Sequence, residues 1–155
     1  MDEHRTGLVH AEDVVPGTTY DLGAHTLTLE EVVQFSRQWD PQDFHVDGSS
    51  AGYFGGTIAS GLHSMAILQR LSVLGVYRHW AVVAGRRIRD VSFLAPARPG
   101  MTLRGSLVVD SVADRDGTRS LVTTSKTLSA GSTVVLTSVH ELYVFRRTAG
   151  ADREF

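Results

Sequence analysis

The 155-residue sequence contains no cysteine. Thiol nucleophiles, disulfides and thiolate metal sites are therefore excluded, while a cytoplasmic location stays compatible and is the one expected. Long hydrophobic runs are also missing, and no segment approaches the ~18 consecutive apolar residues of a membrane helix. The N-terminal stretch MDEHRTGLVHAEDVV lacks the basic start and apolar core of a secretory signal. There is no basic excess either. The formal net charge is -2, and the one local basic concentration is Arg86, Arg87 and Arg89. That cluster is too short for the basic stripe of a nucleic-acid binder, so neither a nucleic acid nor a membrane is an expected partner.

What is present fits an ordinary globular protein: 42% of residues are hydrophobic and 21% charged. The length suits one domain over residues 1–155, with a core at about residues 10–147 and a polar C-terminal tail, RRTAGADREF. A strand over part of 15–28 leads into a helix, LEEVVQFSRQW. Thr28 is its cap, and Glu31 three positions later completes a capping-box pattern. Val32, Phe35 and Trp39 share one helical face. Pro41 disfavours α geometry at Asp40 and ends the helix there.

An irregular stretch follows to Ala59, with a short helical turn expected near GSSAGYF. A second helix begins at Ser60 and runs towards Trp80, about five turns. It is apolar over most of its circumference (Leu62, Met65, Ala66, Ile67, Leu68, Leu71, Val73, Leu74), which predicts burial. The second half then changes period. Four segments beginning at Val82, Thr102, Arg119 and Ser132 alternate apolar and polar residues in part, and the turn signals DRDG and SAGS join the last three as hairpins. One apolar helix followed by an antiparallel meander is an α+β plan, with a sheet curled around a long central helix. Such a sheet leaves a surface uncovered, so a homodimer is expected, with a higher oligomer left open.

Chemistry concentrates in WDPQDFHVD. Asp40 and His45 are separated by four residues, one turn's reach, with Trp39 and Phe44 as apolar neighbours that would exclude water. A carboxylate and an imidazole converging on one water can activate it, and histidine's ordinary pKa of ~6.5 suits that role at neutral pH. The spacing alone is weak and fits a polar surface loop as well. His45 and Asp47, with Asp40 and Asp43 nearby, offer oxygen and imidazole ligands for a divalent ion. No second histidine stands one helical turn away, which counts against a metal site, and none is expected. At TIASGLH, Ser60 and Gly61 mark a helix start. Its backbone N–H groups and dipole favour negative charge, and a glycine there admits a close carbonyl, the geometry of an oxyanion hole. Ser60 reads equally well as a simple N-cap. His63 reads as a packed helix-face residue, and His25, His79 and His140 show no recognisable partners.

Three segments in order, WDPQDFHVD, YFGGTIASGLHSMAIL and VSFLAPARPGMTL, resemble the MaoC-like dehydratases, the (R)-specific enoyl-CoA hydratase group of hotdog-fold proteins. The resemblance extends over roughly residues 10–145. It implies hydration of a trans-2-enoyl thioester, or dehydration of a 3-hydroxyacyl thioester, carried by coenzyme A or an acyl-carrier protein and without a cofactor. Asp40 and His45 fall on the family's Asp-x4-His motif as the acid/base pair. The Gly61 amide falls where the family polarises the thioester carbonyl. Gln42, Phe44, Tyr53, Phe54 and Ser60 become candidates for substrate contact, and Ser92, Phe93, Pro96 and Arg98 for contact with the thioester arm. The chain departs from the family pattern where Gln42 and Asp43 replace Asn and Pro, and where Ser60 replaces a histidine before Gly61. Two other readings compete. A hotdog thioesterase would place a carboxylate on the central helix, and none lies between Ser60 and Trp80. A non-catalytic acyl-thioester-binding protein would have no need of both Asp40 and His45.

Overall fold

The computed structural model describes residues 7–47 and 52–147. The chain runs through β1 (Thr19–Thr26), α1 (Leu29–Trp39), a short α2 (Asp43–Val46), α3 (Gly61–Gly75), β2 (Val82–Phe93), β3 (Thr102–Asp114), β4 (Arg119–Ala130) and β5 (Thr133–Phe145). The five strands form one sheet in the order β1-β3-β4-β5-β2, every pair antiparallel. The DRDG and SAGS hairpins therefore fall where the sequence places them. Of the expected polar tail only Arg146 and Arg147 are described, and residues 48–51 of the GSSAGYF segment lie outside the described residues. Among the described residues a short helix lies before that segment, at Asp43–Val46.

The sheet curls over α3, which packs on β1, β3 and β4. Ile67, Leu68 and Leu71 of the helix are buried against Leu103, Leu107, Val122, Leu128, Leu136 and Val144. Alternation along β4 sends Val122, Thr124, Lys126 and Leu128 to this inner face, all buried. α3 is shorter than the five turns expected. It ends at Gly75, and the chain makes a 3-10 turn at Tyr77–His79 before Trp80. Trp80 is buried with its ring edge-on to Tyr20 of β1 and tilted against Tyr77. Gly75 makes the crossing possible: a Cβ there would lie 3.0 Å from the Leu22 Cα.

α3 is also less enclosed than its composition predicts. Leu62, Val73 and Leu74 are exposed along one side. β2, at the sheet edge, is exposed over most of its length, Ile88 included.

The first helix follows the expectation in part. The Thr28 hydroxyl accepts the Glu31 N–H at 3.2 Å. The Glu31 carboxylate does not complete the capping box; it pairs with His25 Nε2 at 2.6 Å instead. Val32 is buried, whereas Trp39 is 63% exposed and shields nothing.

Candidate active site: Asp40 and His45 at the start of the central helix

Pro41 does what the sequence suggests. α1 stops at Trp39, and Asp40 is its C-cap, with its N–H still donating to the Ser36 carbonyl at 2.9 Å. The short α2 then turns His45 back towards Asp40. Two backbone ties place the returning chain beside them: Ile58 N–H donates to the Phe44 carbonyl (3.0 Å), and Ala59 N–H donates to the Ala97 carbonyl (2.8 Å). Ser60 follows as the N-cap of α3.

His45 is buried, and its Nε2 lies 3.3 Å from Asp40 Oδ2. Its other nitrogen, Nδ1, lies 2.7 Å from the Ile58 carbonyl. A carbonyl can only accept, so Nδ1 carries the proton and Nε2 of the neutral ring presents a lone pair. That lone pair faces a carboxylate, an arrangement that becomes favourable once Nε2 takes up a proton. Asp40 is held as a carboxylate from two further sides. The Ser60 hydroxyl donates to Oδ2 at 2.7 Å, and Gln42 Nε2 donates to Oδ1 at 2.8 Å. The Ser60 hydrogen bond, then that of Gln42, keep the Asp40 pKa below the ordinary carboxylate value against the opposing effect of burial, with a smaller lowering from His45 beside it.

These groups line a cleft of about 510 Å³. One end is polar, with Asp40, Gln42, His45 and Ser60. The rest is mostly apolar, formed by Phe54, Ile58, Leu62, residues 93–97 and Val135. Gly61, the first residue of α3, also lines the cleft. Ser60 satisfies two amides of that first turn, taking Leu62 N–H on its hydroxyl and Ser64 N–H on its carbonyl. The Gly61 N–H has no partner within the helix, as the first amide of a helix never does.

The cleft thus gathers Asp40, His45, Gln42, Phe54, Ser60, Gly61, Phe93 and Pro96 of the sequence-derived candidates. Four others stand outside its lining. Phe44 backs the site, with its ring edge-on to His45 at 4.4 Å and tilted against Phe54 at 5.7 Å. Tyr53 is 98% exposed and touches Phe54 edge-on. Ser92 is exposed on β2, one residue from Phe93 and so on the opposite face of the strand. Arg98 is half-buried, with its N–H on the Met101 sulfur at 3.3 Å.

Three histidines that show no partner in sequence have one in the fold, whereas the buried Nδ1 of His63 has none among the described residues. His25 pairs with Glu31, His79 accepts from Arg78, and His140 Nε2 lies 2.8 Å from the Ser138 hydroxyl. His63 is buried, stacked on Phe35 at 4.6 Å, and desolvation lowers its pKa. Among the described residues no group of three or more His, Asp or Glu side chains is arranged to hold a metal. Sequence reasoning missed the Ile58 carbonyl, which orients His45, and Val135 in the cleft wall. Neither carries a signal, since any residue supplies a carbonyl and Val135 follows an ordinary strand pattern.

Residues 12–131 match the family model described as the MaoC like domain. The chain belongs to the MaoC-like domain family. Among solved structures, this MaoC-like chain is similar to a MaoC-like dehydratase from Rhodospirillum rubrum, with 30% identity, a TM-score of 0.82, and coverage of 90% of this chain and 99% of that one. It shares the hotdog fold with the R-hydratase PhaJ1 from Pseudomonas aeruginosa, at 16% identity and a TM-score of 0.69 over 96% of each chain. It is also 28% identical over 85 residues to the uncharacterized protein YdeM of Bacillus subtilis, a match over 54% of this chain and 60% of that relative's length. Among the described residues no helix is long and apolar enough to cross a membrane.

Proposed function

We propose that this chain is a hydro-lyase of acyl thioesters, adding water reversibly across the double bond of a trans-2-enoyl-CoA or the corresponding carrier-protein thioester. The observation that carries the reading is the His45–Asp40 pair at 3.3 Å, with Nδ1 fixed on the Ile58 carbonyl. A water against Nε2 gives its proton to the ring as its oxygen bonds to C3 of the substrate. Asp40 stabilises the imidazolium that forms. Electron density moves from the C2–C3 double bond towards the thioester oxygen, which accepts the Gly61 N–H as the enolate develops. The proton then passes from the pair to C2, so the water's two hydrogens end on C2 and on the new hydroxyl. Acid/base chemistry suffices, and no cofactor is required beyond the thioester.

The same reading places the acyl group and thioester arm along the apolar wall of residues 93–97. It includes a homodimer, with β2 as the seam, since that edge strand is exposed along most of its length. The family membership and the R-hydratase fold neighbour support the reaction class.

The test is loss of the enoyl-thioester ultraviolet absorbance with a panel of short, branched and long enoyl-CoAs, run beside Asp40→Ala and His45→Ala. Turnover by the native chain with loss of ~10²–10⁴-fold in each variant is the expected result. A folded chain that binds acyl-CoA without turning any of them over would instead favour a binding role.

A further inference from the structure

Gly61 does not need to be glycine for its backbone, because it is not among the residues with positive φ. What a side chain there would meet is its neighbour, which would have to move. A Cβ on Gly61 would lie 2.6 Å from Cε1, 2.8 Å from Cζ and 2.9 Å from Cδ1 of the Phe93 ring, closer than real side chains approach. The ring fills the notch left by the missing side chain. Phe93 is the last residue of β2 and stands opposite Leu136 of β5, and the next amide, Leu94 N–H, is bonded to the Val135 carbonyl at 2.8 Å. Its base is thus fixed on the sheet while its tip rests on the first residue of α3. The ring is nevertheless 57% exposed, too much for a core residue. Both residues line the cleft that holds Asp40 and His45.

We propose that Phe93 is a positioning residue for the thioester carbonyl: its ring seats in the Gly61 notch, fixes the first turn of α3 relative to the end of β2, and screens the Gly61 amide from water. The proposal rests on the hydration reading. A hydrogen bond to a developing enolate is stronger when its surroundings are apolar, because the local dielectric is lower. The ring therefore acts where charge accumulates in the transition state, so its loss lowers kcat more than it raises KM. The effect belongs to the carbonyl and is independent of the arm beyond the sulfur.

The experiment compares native chain, Phe93→Ala and Phe93→Leu on two thioesters of one enoyl group, the coenzyme A ester and the short N-acetylcysteamine ester. Phe93→Ala is expected to lower kcat about tenfold on both, short of the ~10²–10³-fold cost of losing an oxyanion donor, with KM little changed. Phe93→Leu keeps more of the screen and loses less, which guards against a folding defect in the alanine variant. Gly61→Ala loses activity through the clash and recovers part of it when combined with Phe93→Ala. A KM increase confined to the coenzyme A ester would make Phe93 a contact for the arm and overturn the proposal, as would unchanged kinetics in Phe93→Ala. Absence of turnover in the native chain on either ester would instead remove the hydration reading, and this proposal with it.

Discussion

The Ser60 hydroxyl lies 2.7 Å from Asp40 Oδ2 and, on its other side, accepts Leu62 N–H at 3.2 Å. One buried side chain therefore caps α3 and holds the carboxylate at the end of α1. It is the largest of the influences that keep the Asp40 pKa below the ordinary value. Ser60→Ala should raise that pKa and carry the acid limb of the kcat/KM profile to higher pH. The loss at neutral pH should be about tenfold, as expected for one hydrogen bond to a charged group. The sign for stability follows. A depressed folded pKa means that ionised Asp40 stabilises the fold above its unfolded value near 3.8, and that this contribution fades as pH falls through the folded value. In Ser60→Ala that acid window narrows. An unmoved acid limb would show that another group sets it.

Asp40 and His45 act as one unit in the proposed reaction, so their losses should not add. Asp40→Ala, His45→Ala and the double variant should all fall by a similar ~10²–10⁴-fold, because each removes the same proton relay. His45→Gln can keep a hydrogen bond to the Ile58 carbonyl and should remain folded yet inactive. Steady-state rates beside thermal melting curves separate the two effects. A double variant much slower than either single one would mean that the residues act independently.

Much of this site was legible because its signals are local. Pro41 fixes where α1 stops, and the interval to His45 is short enough that one turn of helix reunites the pair. The helix start at Ser60–Gly61 follows from capping chemistry. What was not legible depends on tertiary neighbours. Gln42 and Ser60 line the cleft as the sequence suggests, but their hydrogen bonds to Asp40 were not legible. Tyr53, Ser92 and Arg98 adjoin cleft residues in sequence, yet are not among the residues that line the cleft. Glu31 matched a capping box and went to His25, which no local pattern announces. The apolar helix suggested full burial, whereas one chain covers only part of it, leaving Leu62, Val73 and Leu74 exposed.

Those exposed residues and the β2 edge give the homodimer a direct test. Ile88, near the middle of β2, is 53% exposed. In the proposed homodimer, an apolar side chain on an unprotected edge strand is where another copy would pack. Ile88→Lys should shift sedimentation from dimer towards monomer, leave the melting of the monomer little changed, and lower activity to the extent that the partner completes the cleft. A native chain that sediments as a monomer at high concentration would remove the dimer.

The core contains a buried lysine, Lys126. It is 1% exposed, and its Nζ has no hydrogen-bond partner among the described residues, resting 4.5 Å above the Tyr77 ring. Burial pushes its pKa from 10.5 to about 7. Burial and the nearby lysine charge push that of His140 to about 4. A lysine whose folded pKa is lowered destabilises the fold most below the folded value, and the penalty disappears as pH rises to the unfolded value. The gap bounds that penalty at about 5 kcal/mol, offset by ~1 kcal/mol from the ring. Methionine has nearly the same shape without the charge. Lys126→Met should therefore stabilise the protein by about 2–4 kcal/mol at pH 6, with the gain shrinking between pH 7 and 10.5. Denaturant midpoints at pH 6, 8 and 10 measure it. A gain independent of pH would trace to packing rather than charge, and a loss at pH 6 would mean that the ammonium has a partner in solution that balances its burial.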